Sequence, residues 1–256
     1  MNHLYLPPAC LHAGDLILVS AQAPYQEKRP PQLLGVPGPT SPVRLEAQAA
    51  GALNRLMDAL RGWKAITPVS GWRSHQEQQD LWDQSLAENG DAFTRTFVAK
   101  PGCSEHETGL AIDLGLRGDD LDPICPAFPQ EGICQTVRAL APTYGFLLRY
   151  PAGKEAVTGI GYEPWHFRYV GPPHAALMTE RGWTLEEYHQ ALRAGPLRTT
   201  WEGVETWISF QPANSGGVTL VELPQGMVCA VSGNNTDGFI LTTRRAEDVR
   251  EKLRRS

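Results

Sequence analysis

No stretch of this 256-residue chain approaches the eighteen or more consecutive apolar residues of a membrane-spanning helix. Leu16-Ile17-Leu18-Val19 is only four residues long and reads as a short buried strand. There is no basic excess either. The formal net charge is −5, which excludes the electrostatic footprint of a nucleic-acid binder. The start of the chain lacks a basic region followed by an apolar segment and a small-residue cleavage site, so a cytoplasmic location is expected, an exported enzyme with a removed leader being the alternative. Cysteine is scarce, and the five present are an odd number, so at least one is unpaired in a monomer. Cys125 and Cys134 bracket an eight-residue loop and are the pair available to an oxidising compartment; in the cytoplasm they are free thiols. What the chain does have is ordinary for a folded protein: 41% hydrophobic and 20% charged residues. Its length allows one large domain, or a domain with a small appendage.

Residues 1–42 are rich in proline (Pro30-Pro31, Pro37, Pro39, Pro42), which excludes helix from most of a predicted extended arm. From Val43 to Arg61, apolar residues Leu45, Ala49, Ala52, Leu53, Leu56, Met57 and Leu60 recur at helical spacing. Val69 to Trp72 predicts a strand ending at Arg73. Gln76 to Asn89 predicts a helix stopped by Asn89-Gly90. A connecting region then holds an acidic loop (Asp119, Asp120, Asp122), a helix near Ile133 to Tyr144 and a strand from Phe146 to Tyr150. The acidic loop lacks the register and closing glutamate of an EF-hand, so a solvated loop is the better reading. Thr184-Leu185-Glu186-Glu187 has the capping-box pattern and opens a helix to Leu192. After residue 200, short apolar runs at Thr206 to Gln211, Val218 to Leu223, Met227 to Ser232 and Gly238 to Thr243 alternate with turn residues. They predict a small β-rich subdomain over 200–256, too short to bury more than a marginal core.

The chemistry concentrates in Ser104-Glu105-His106-Glu107-Thr108-Gly109-Leu110-Ala111-Ile112-Asp113 and in Glu163-Pro164-Trp165-His166. His106, Asp113 and His166 offer three metal ligands, and three protein ligands leave a fourth position open, as in catalytic zinc sites. Glu163 stands beside the second histidine as a candidate proton acceptor. His106 and Asp113 are seven residues apart. On one straight helix that is about 10 Å along the axis, too far for a shared ion; on one flat strand the two side chains oppose each other. The chain must therefore turn between them, and Gly109 permits it. Beyond the turn, Leu110 to Leu116 alternates as a strand, with Leu110, Ile112, Leu114 and Leu116 toward the core and Asp113 toward a cleft. Alone, His-x6-Asp and Glu-x-x-His are weak signals that suit a surface histidine beside a turn equally well. His3, His12, His174 and His189 read as structural, and His75 lacks a matching ligand role. Cys103, three residues before His106, is disfavoured as a fourth ligand because it would close the site.

Taken together, the motifs resemble the VanY and VanXY type D-alanyl-D-alanine carboxypeptidases. The resemblance rests on Ser70-Gly71-Trp72-Arg73-Ser74 with Gln78 and Leu81, and on Ala99-Lys100-Pro101-Gly102-Cys103-Ser104-Glu105-His106. It continues through Leu148-Arg149-Tyr150-Pro151 with Lys154, Thr158 and Gly159, to Gly161-Tyr162-Glu163-Pro164-Trp165-His166-Phe167-Arg168-Tyr169-Val170-Gly171. These ordered blocks span roughly residues 45–192.

The resemblance implies an α+β fold of the hedgehog and D,D-peptidase group: a central antiparallel sheet flanked by helices, over residues 43–199. It implies Zn2+ held by His106, Asp113 and His166, Glu163 as general base and then acid, and Arg73 as the cation on the carbonyl oxygen. Gln78 and Ser104 become substrate contacts, and Trp165 packs beside the ligands. The implied activity is a zinc D,D-carboxypeptidase acting on peptidoglycan precursors ending in D-Ala-D-Ala, with the free dipeptide as a further substrate and vancomycin resistance as a biological consequence. A D-Ala-D-Ala dipeptidase, a wall endopeptidase and a non-catalytic zinc-dependent binding module are the competing readings; retention of both Glu163 and Arg73 argues against the last.

Overall fold

The computed structural model describes residues 2–26, 31–37, 43–118 and 121–255. Pro30, Pro39 and Pro42 of the proline-rich arm, and Asp119 and Asp120 of the acidic loop, lie outside the described residues. In chain order the elements begin with β1 (Asn2–Leu6), β2 (Leu33–Val36), β3 (Val43–Glu46), α1 (Ala47–Leu60), β4 (Ile66–Ser70) and α2 (His75–Phe97). They continue with β5 (Ala111–Leu116), α3 (Gly132–Leu140), β6 (Phe146–Tyr150), α4 (Glu155–Thr158), β7 (Glu163–Tyr169), α5 (Pro172–Arg181) and α6 (Leu185–Ala194). The last are β8 (Leu197–Trp201), β9 (Val204–Pro212), β10 (Thr219–Leu223), β11 (Met227–Gly233), β12 (Gly238–Arg245) and α7 (Ala246–Arg255). Among the described residues no helix is long and apolar enough to cross a membrane.

The chain divides into two units, one of Val19–Thr184 and one of Met1–Leu18 with Leu185–Ser256. The first is built on a four-stranded antiparallel sheet in the order β4-β5-β7-β6. Strand β5 is central, and Ala111 to Gly115 are buried on both faces. The expected sidedness of this strand therefore holds only in part, and Leu116, expected in the core, is 38% exposed where the strand leaves the sheet. Pro68 stands in β4, an edge strand where a missing N–H costs no ladder bond.

Helix α1 buries Ala49, Ala52, Leu53, Leu56 and Met57 of the predicted stripe and Ala50 beside them, while Leu60 is only half-buried. It starts four residues later than the apolar spacing suggests, because Val43–Glu46 is a strand paired with β2. The Glu46 carboxylate then caps the helix, accepting from the Gln48 and Ala49 amides at 2.8 and 3.4 Å. Helix α2 opens with a capping box: Ser74 Oγ accepts from the Glu77 amide, and the Glu77 carboxylate accepts from the Ser74 amide at 2.7 Å. Gly90 leaves helical geometry at φ 80° where Asn89-Gly90 predicts the stop, but a further helical stretch follows to Phe97.

The second unit contains a four-stranded sheet, β11-β12-β9-β8, and a two-stranded sheet in which β1 pairs with β10. Leu6, Val221, Leu223, Phe239 and Leu241 form its core. The first strand of the chain thus belongs with the C-terminal strands, and α6 falls in this unit rather than in the preceding domain. Leu16, Ile17 and Val19 are buried, as expected, and Leu18 half-buried, but the run is not a strand. Its amides bond irregularly instead, Leu16 to Ser232 Oγ at 3.0 Å and Leu18 to the Asn234 carbonyl at 3.2 Å. Strand β8 and helix α7, in the basic tail, carry no strong sequence signal. All five cysteines are free thiols, Cys125 and Cys134 included.

Candidate active site

Sheet register assembles one row of side chains. Ser70 on β4 lies opposite Asp113 on β5, and Asp113 lies opposite His166 on β7. Directly opposed residues of antiparallel strands share a face, which brings the carboxylate and imidazole together although 53 residues separate them. Asp113 Oδ1 is 3.0 Å from His166 Nδ1. His106 arrives from a 3-10 turn, Glu105–Thr108, that ends at Gly109 with φ 75°, the predicted bend. Its Nε2 lies 3.1 Å from Asp113 Oδ2. Its Nδ1 is 2.7 Å from the Gly71 carbonyl oxygen. A carbonyl only accepts, so Nδ1 carries the proton and Nε2 turns its lone pair toward the aspartate. Gly71 itself must be glycine: a Cβ there would collide with the Arg44 carbonyl oxygen and Val43.

Glu163 joins this group through an irregularity. Three residues apart on a regular strand, Glu163 and His166 would face opposite sides. The β6–β7 register slips between the pairs Leu148↔Phe167 and Tyr150↔Glu163, and such a bulge re-aims side chains. Glu163 Oε2 consequently lies 3.4 Å from His166 Nδ1. Burial pushes the Glu163 carboxyl up to about 8; His166 opposes the shift, while Asp113 and Glu105 add to it. A carboxyl poised near neutrality suits proton shuttling.

Behind His166 sits a charged cluster whose members stand inside the sequence motifs but receive no role from them. Glu105 Oε2 faces His166 Nε2 at 3.6 Å, while its Oε1 accepts from Arg149 Nε at 2.8 Å and from Arg168 Nη1 at 2.9 Å. Glu105, Arg149 and Arg168 are all essentially without solvent exposure. Burial works against ionising Glu105, but the two guanidiniums prevail and hold it well below the usual carboxylate range. A carboxylate behind a ligating imidazole fixes its orientation and raises its basicity. The available signal was two arginines inside strand-forming runs, where such residues are rarely buried without a partner.

Arg73 is clamped on both sides. Its Nη1 donates to Gln78 Oε1 at 2.6 Å and its Nη2 to Ser70 Oγ at 2.7 Å; Gln78 in turn donates to the Ala99 carbonyl at 2.7 Å. Burial lowers the guanidinium pKa, with Asp113 and Glu77 opposing, and the group remains a cation. Gln78 is thus seen holding Arg73. A cavity of about 480 Å³ unites these side chains: Arg73, Gln78, Ser104, Trp165 and Glu163 line it together with His106, Asp113 and His166. Cys103 is outside this lining, and His75 pairs with Glu107 at 3.0 Å, as its lack of a ligand role suggests.

The donor set fits a metal ion. One ligand atom from each of His106, Asp113 and His166 lies within 4.8 Å of the others, and all three residues are buried. Asp113 Oδ1, His166 Nε2 and Glu105 Oε2 are buried without a hydrogen-bond partner among the described residues, and a cation at the aspartate would relieve the first of them. Burial lowers the His106 pKa, which favours the neutral, ligating imidazole. For His166, burial is outweighed by hydrogen bonding and attraction to Asp113, and the pKa rises to about 10: the pocket draws positive charge to this point.

Comparison with known proteins identifies the family of the chain. The sequence profile of VanY, described as D-alanyl-D-alanine carboxypeptidase, matches residues 42–172. The bifunctional D-Ala-D-Ala dipeptidase and D-Ala-D-Ala carboxypeptidase VanXYC of Enterococcus gallinarum is 46% identical over 70% of this chain and 95% of its own. The crystal structure of the vancomycin-resistance D,D-dipeptidase VanXYg, in complex with a D-Ala-D-Ala phosphinate analogue, superposes with a TM-score of 0.89 at 41% identity, covering 95% of this chain and 99% of that one. A mutant of the vancomycin-resistance D,D-pentapeptidase VanY from the VanB-type cassette, in complex with Zn(II), superposes with a TM-score of 0.57 at 31% identity, covering 68% and 98% of the two chains.

Proposed function

The chain belongs to the VanY family of D-alanyl-D-alanine carboxypeptidases, and on that premise we propose that it is a zinc-dependent peptidase hydrolysing the terminal D-Ala-D-Ala bond of peptidoglycan precursor peptides. The observation that carries this reading is the meeting of the buried His106, Asp113 and His166 with Glu163 and Arg73 in one cavity. His106 Nε2, an Asp113 oxygen and His166 Nδ1 would hold the ion, the Gly71 carbonyl and Glu105 steadying the two imidazoles from behind. Zinc, when bound, supplies a Lewis acid and lowers the pKa of water to about 7.

The protein's own groups do the rest. Glu163 takes the proton of the attacking water and returns it to the departing amine of D-alanine. Arg73, held by Ser70 and Gln78, presents a preorganised cation to the negative charge developing on the carbonyl oxygen. Ser104 and the remaining capacity of Gln78 are the substrate contacts within the cavity. The free dipeptide is a second substrate on this reading, favoured by the extent of the match to proteins named as D-Ala-D-Ala dipeptidases.

The test is zinc-dependent release of D-alanine from a peptide ending in D-Ala-D-Ala, compared with Glu163→Gln. The variant is expected to retain zinc, because it keeps all three ligands, and to lose roughly 10²–10⁴-fold in kcat. Undiminished turnover in the variant would reject Glu163 as the proton carrier.

A further inference from the structure

Three consecutive residues of the Glu105–Thr108 turn serve three directions, because a 3-10 helix sets successive side chains about 120° apart. Glu105 reaches back to Arg149 and Arg168, and His106 enters the metal site. Glu107 takes the third direction. Its side chain is only 7% exposed, and its partners are a backbone amide and a histidine. Oε1 accepts from the Gly102 amide at 2.6 Å, and Oε2 lies 3.0 Å from His75 Nδ1. A carboxylate only accepts, so His75 Nδ1 carries the proton of that bond. The Gly102 amide needs this partner. Lys100-Pro101-Gly102-Cys103 closes with the Cys103 amide on the Lys100 carbonyl at 2.9 Å, and Gly102 has φ 80°. Proline followed by glycine at positive φ makes a type II turn, whose own hydrogen bond leaves the Gly102 N–H unspent. The Gly102 carbonyl is held as well, by the Tyr25 amide at 2.7 Å. This turn joins two stretches of the cavity wall, Val98 and Ala99 before it and Ser104 after it. Helix α2 braces it twice: Gln78 donates to the Ala99 carbonyl, and His75, three residues earlier on the same face, meets Glu107.

We propose that Glu107, braced by His75, is a positioning residue that sets Ser104 against the substrate by clamping the Lys100–Cys103 turn. The proposal rests on the peptidase reading above, in which Ser104 is a substrate contact. Ser104 directly follows the clamped turn, and its carbonyl accepts from the Glu107 amide at 3.2 Å. Glu107 therefore fixes Ser104 from two sides: its main chain holds the Ser104 carbonyl, and its side chain holds the turn that precedes Ser104. Among the described residues the Ser104 hydroxyl has no hydrogen-bond partner, and the residue lines the cavity, so that hydroxyl is left to a bound peptide. Glu107 is neither one of the three candidate ligands nor part of the cavity lining, and its influence on the reaction passes through Ser104. A contact made equally to substrate and transition state shows in KM rather than in kcat.

The test measures kcat, KM and zinc affinity of the full chain, with a peptide ending in D-Ala-D-Ala as substrate, for Glu107→Ala, Glu107→Gln, Ser104→Ala and the double variant Glu107→Ala with Ser104→Ala. Glu107→Ala is expected to raise KM about five- to tenfold while kcat and zinc affinity stay within about twofold of the parent. Glutamine keeps an oxygen for the Gly102 amide, so Glu107→Gln is expected to return KM to within about twofold of the parent. Ser104→Ala is expected to raise KM by itself, and in its background Glu107→Ala adds less than about twofold, because residues acting through one contact are not additive. A merely structural role would multiply the two effects. Multiplied effects, a glutamine variant as impaired as the alanine one, an unchanged KM in Ser104→Ala or Glu107→Ala, or loss of zinc from Glu107→Ala would each overturn the proposal. Should Glu107→Ala fail to fold, His75→Ala takes its place in the cycle, since the His75 side chain is 67% exposed and its removal spares the core. Its expected rise in KM is about two- to fourfold and vanishes in the Ser104→Ala background; a rise that persists there, or none at all, decides against the proposal. A parent enzyme inactive on both this peptide and the free dipeptide would instead bring down the peptidase reading, and this proposal with it.

Discussion

Glu105 stands one residue before a proposed ligand and is not itself one of the three, yet it joins the site to the core. Two guanidiniums meet on its Oε1, and its Oε2 faces the imidazole of His166. Converting it to the neutral amide leaves two buried cations short of their counter-charge, which typically costs about 3–5 kcal/mol. Glu105→Gln is therefore expected to lower the denaturant midpoint and, in the fraction that folds, to weaken zinc binding about 10- to 100-fold through the loosened imidazole. A metal titration beside an unfolding curve separates the two effects; normal values in both would mean that the cluster neither supports His166 nor stabilises the core. The ligand types and Glu163 were readable from residue identities and motif resemblance. The support was not, because Glu105, Arg149 and Arg168 look like ordinary surface charges until folding removes water from all three.

Among the elements, two irregularities matter as much as the regular strands. The slip in β6–β7 turns Glu163 to the side of His166, and a slip between Pro68 and Ser70 in β4–β5 sets Ser70 beside Asp113, where it holds Arg73. Neither bulge is visible in a period-two reading, since each depends on a partner strand. The turn between β11 and β12 shows local chemistry that is nearer the sequence. Asn234 Oδ1 accepts from the amides of Thr236, Asp237 and Gly238 at 2.9 to 3.0 Å, and Arg193 pairs with Asp237 at 2.6 Å. Hydrogen bonding to Arg193 holds the Asp237 carboxyl down at about 2, burial opposing and Asn234 and Thr236 assisting. A carboxylate with a depressed pKa stabilises the fold above its unfolded value, near 4, and loses that contribution as pH falls toward 2. Acid titration of stability is thus expected to show a slope in this window that flattens in Asp237→Asn. The effect is modest because both partners are partly exposed. An unchanged slope would remove Asp237 from the acid response.

At the scale of the whole molecule, β1 joins sequence ends that composition keeps apart. Its pairing with β10 buries Leu6 against Val221 and Leu223, so the C-terminal unit contains residues from both ends of the chain. Removing residues 1–7 should expose the edge of β10 and part of that core. Limited proteolysis of the trimmed protein is expected to cut first within residues 197–245 while the segment 43–184 persists. Equal resistance of trimmed and full-length protein would show that β1 adds nothing to this unit.

Read alone, the amino-acid sequence determined the residue types of the site, the turn at Gly109, the stripe of α1 and the strand Phe146–Tyr150, because each depends on neighbours within a few residues. Tertiary structure decided that Asp113 and His166 face each other, that a bulge swings Glu163 to meet them, that two buried arginines hold Glu105, and that the first strand closes the last unit. These features require groups far apart in the chain to exclude water from one another. Only strand register and core packing determine which groups meet.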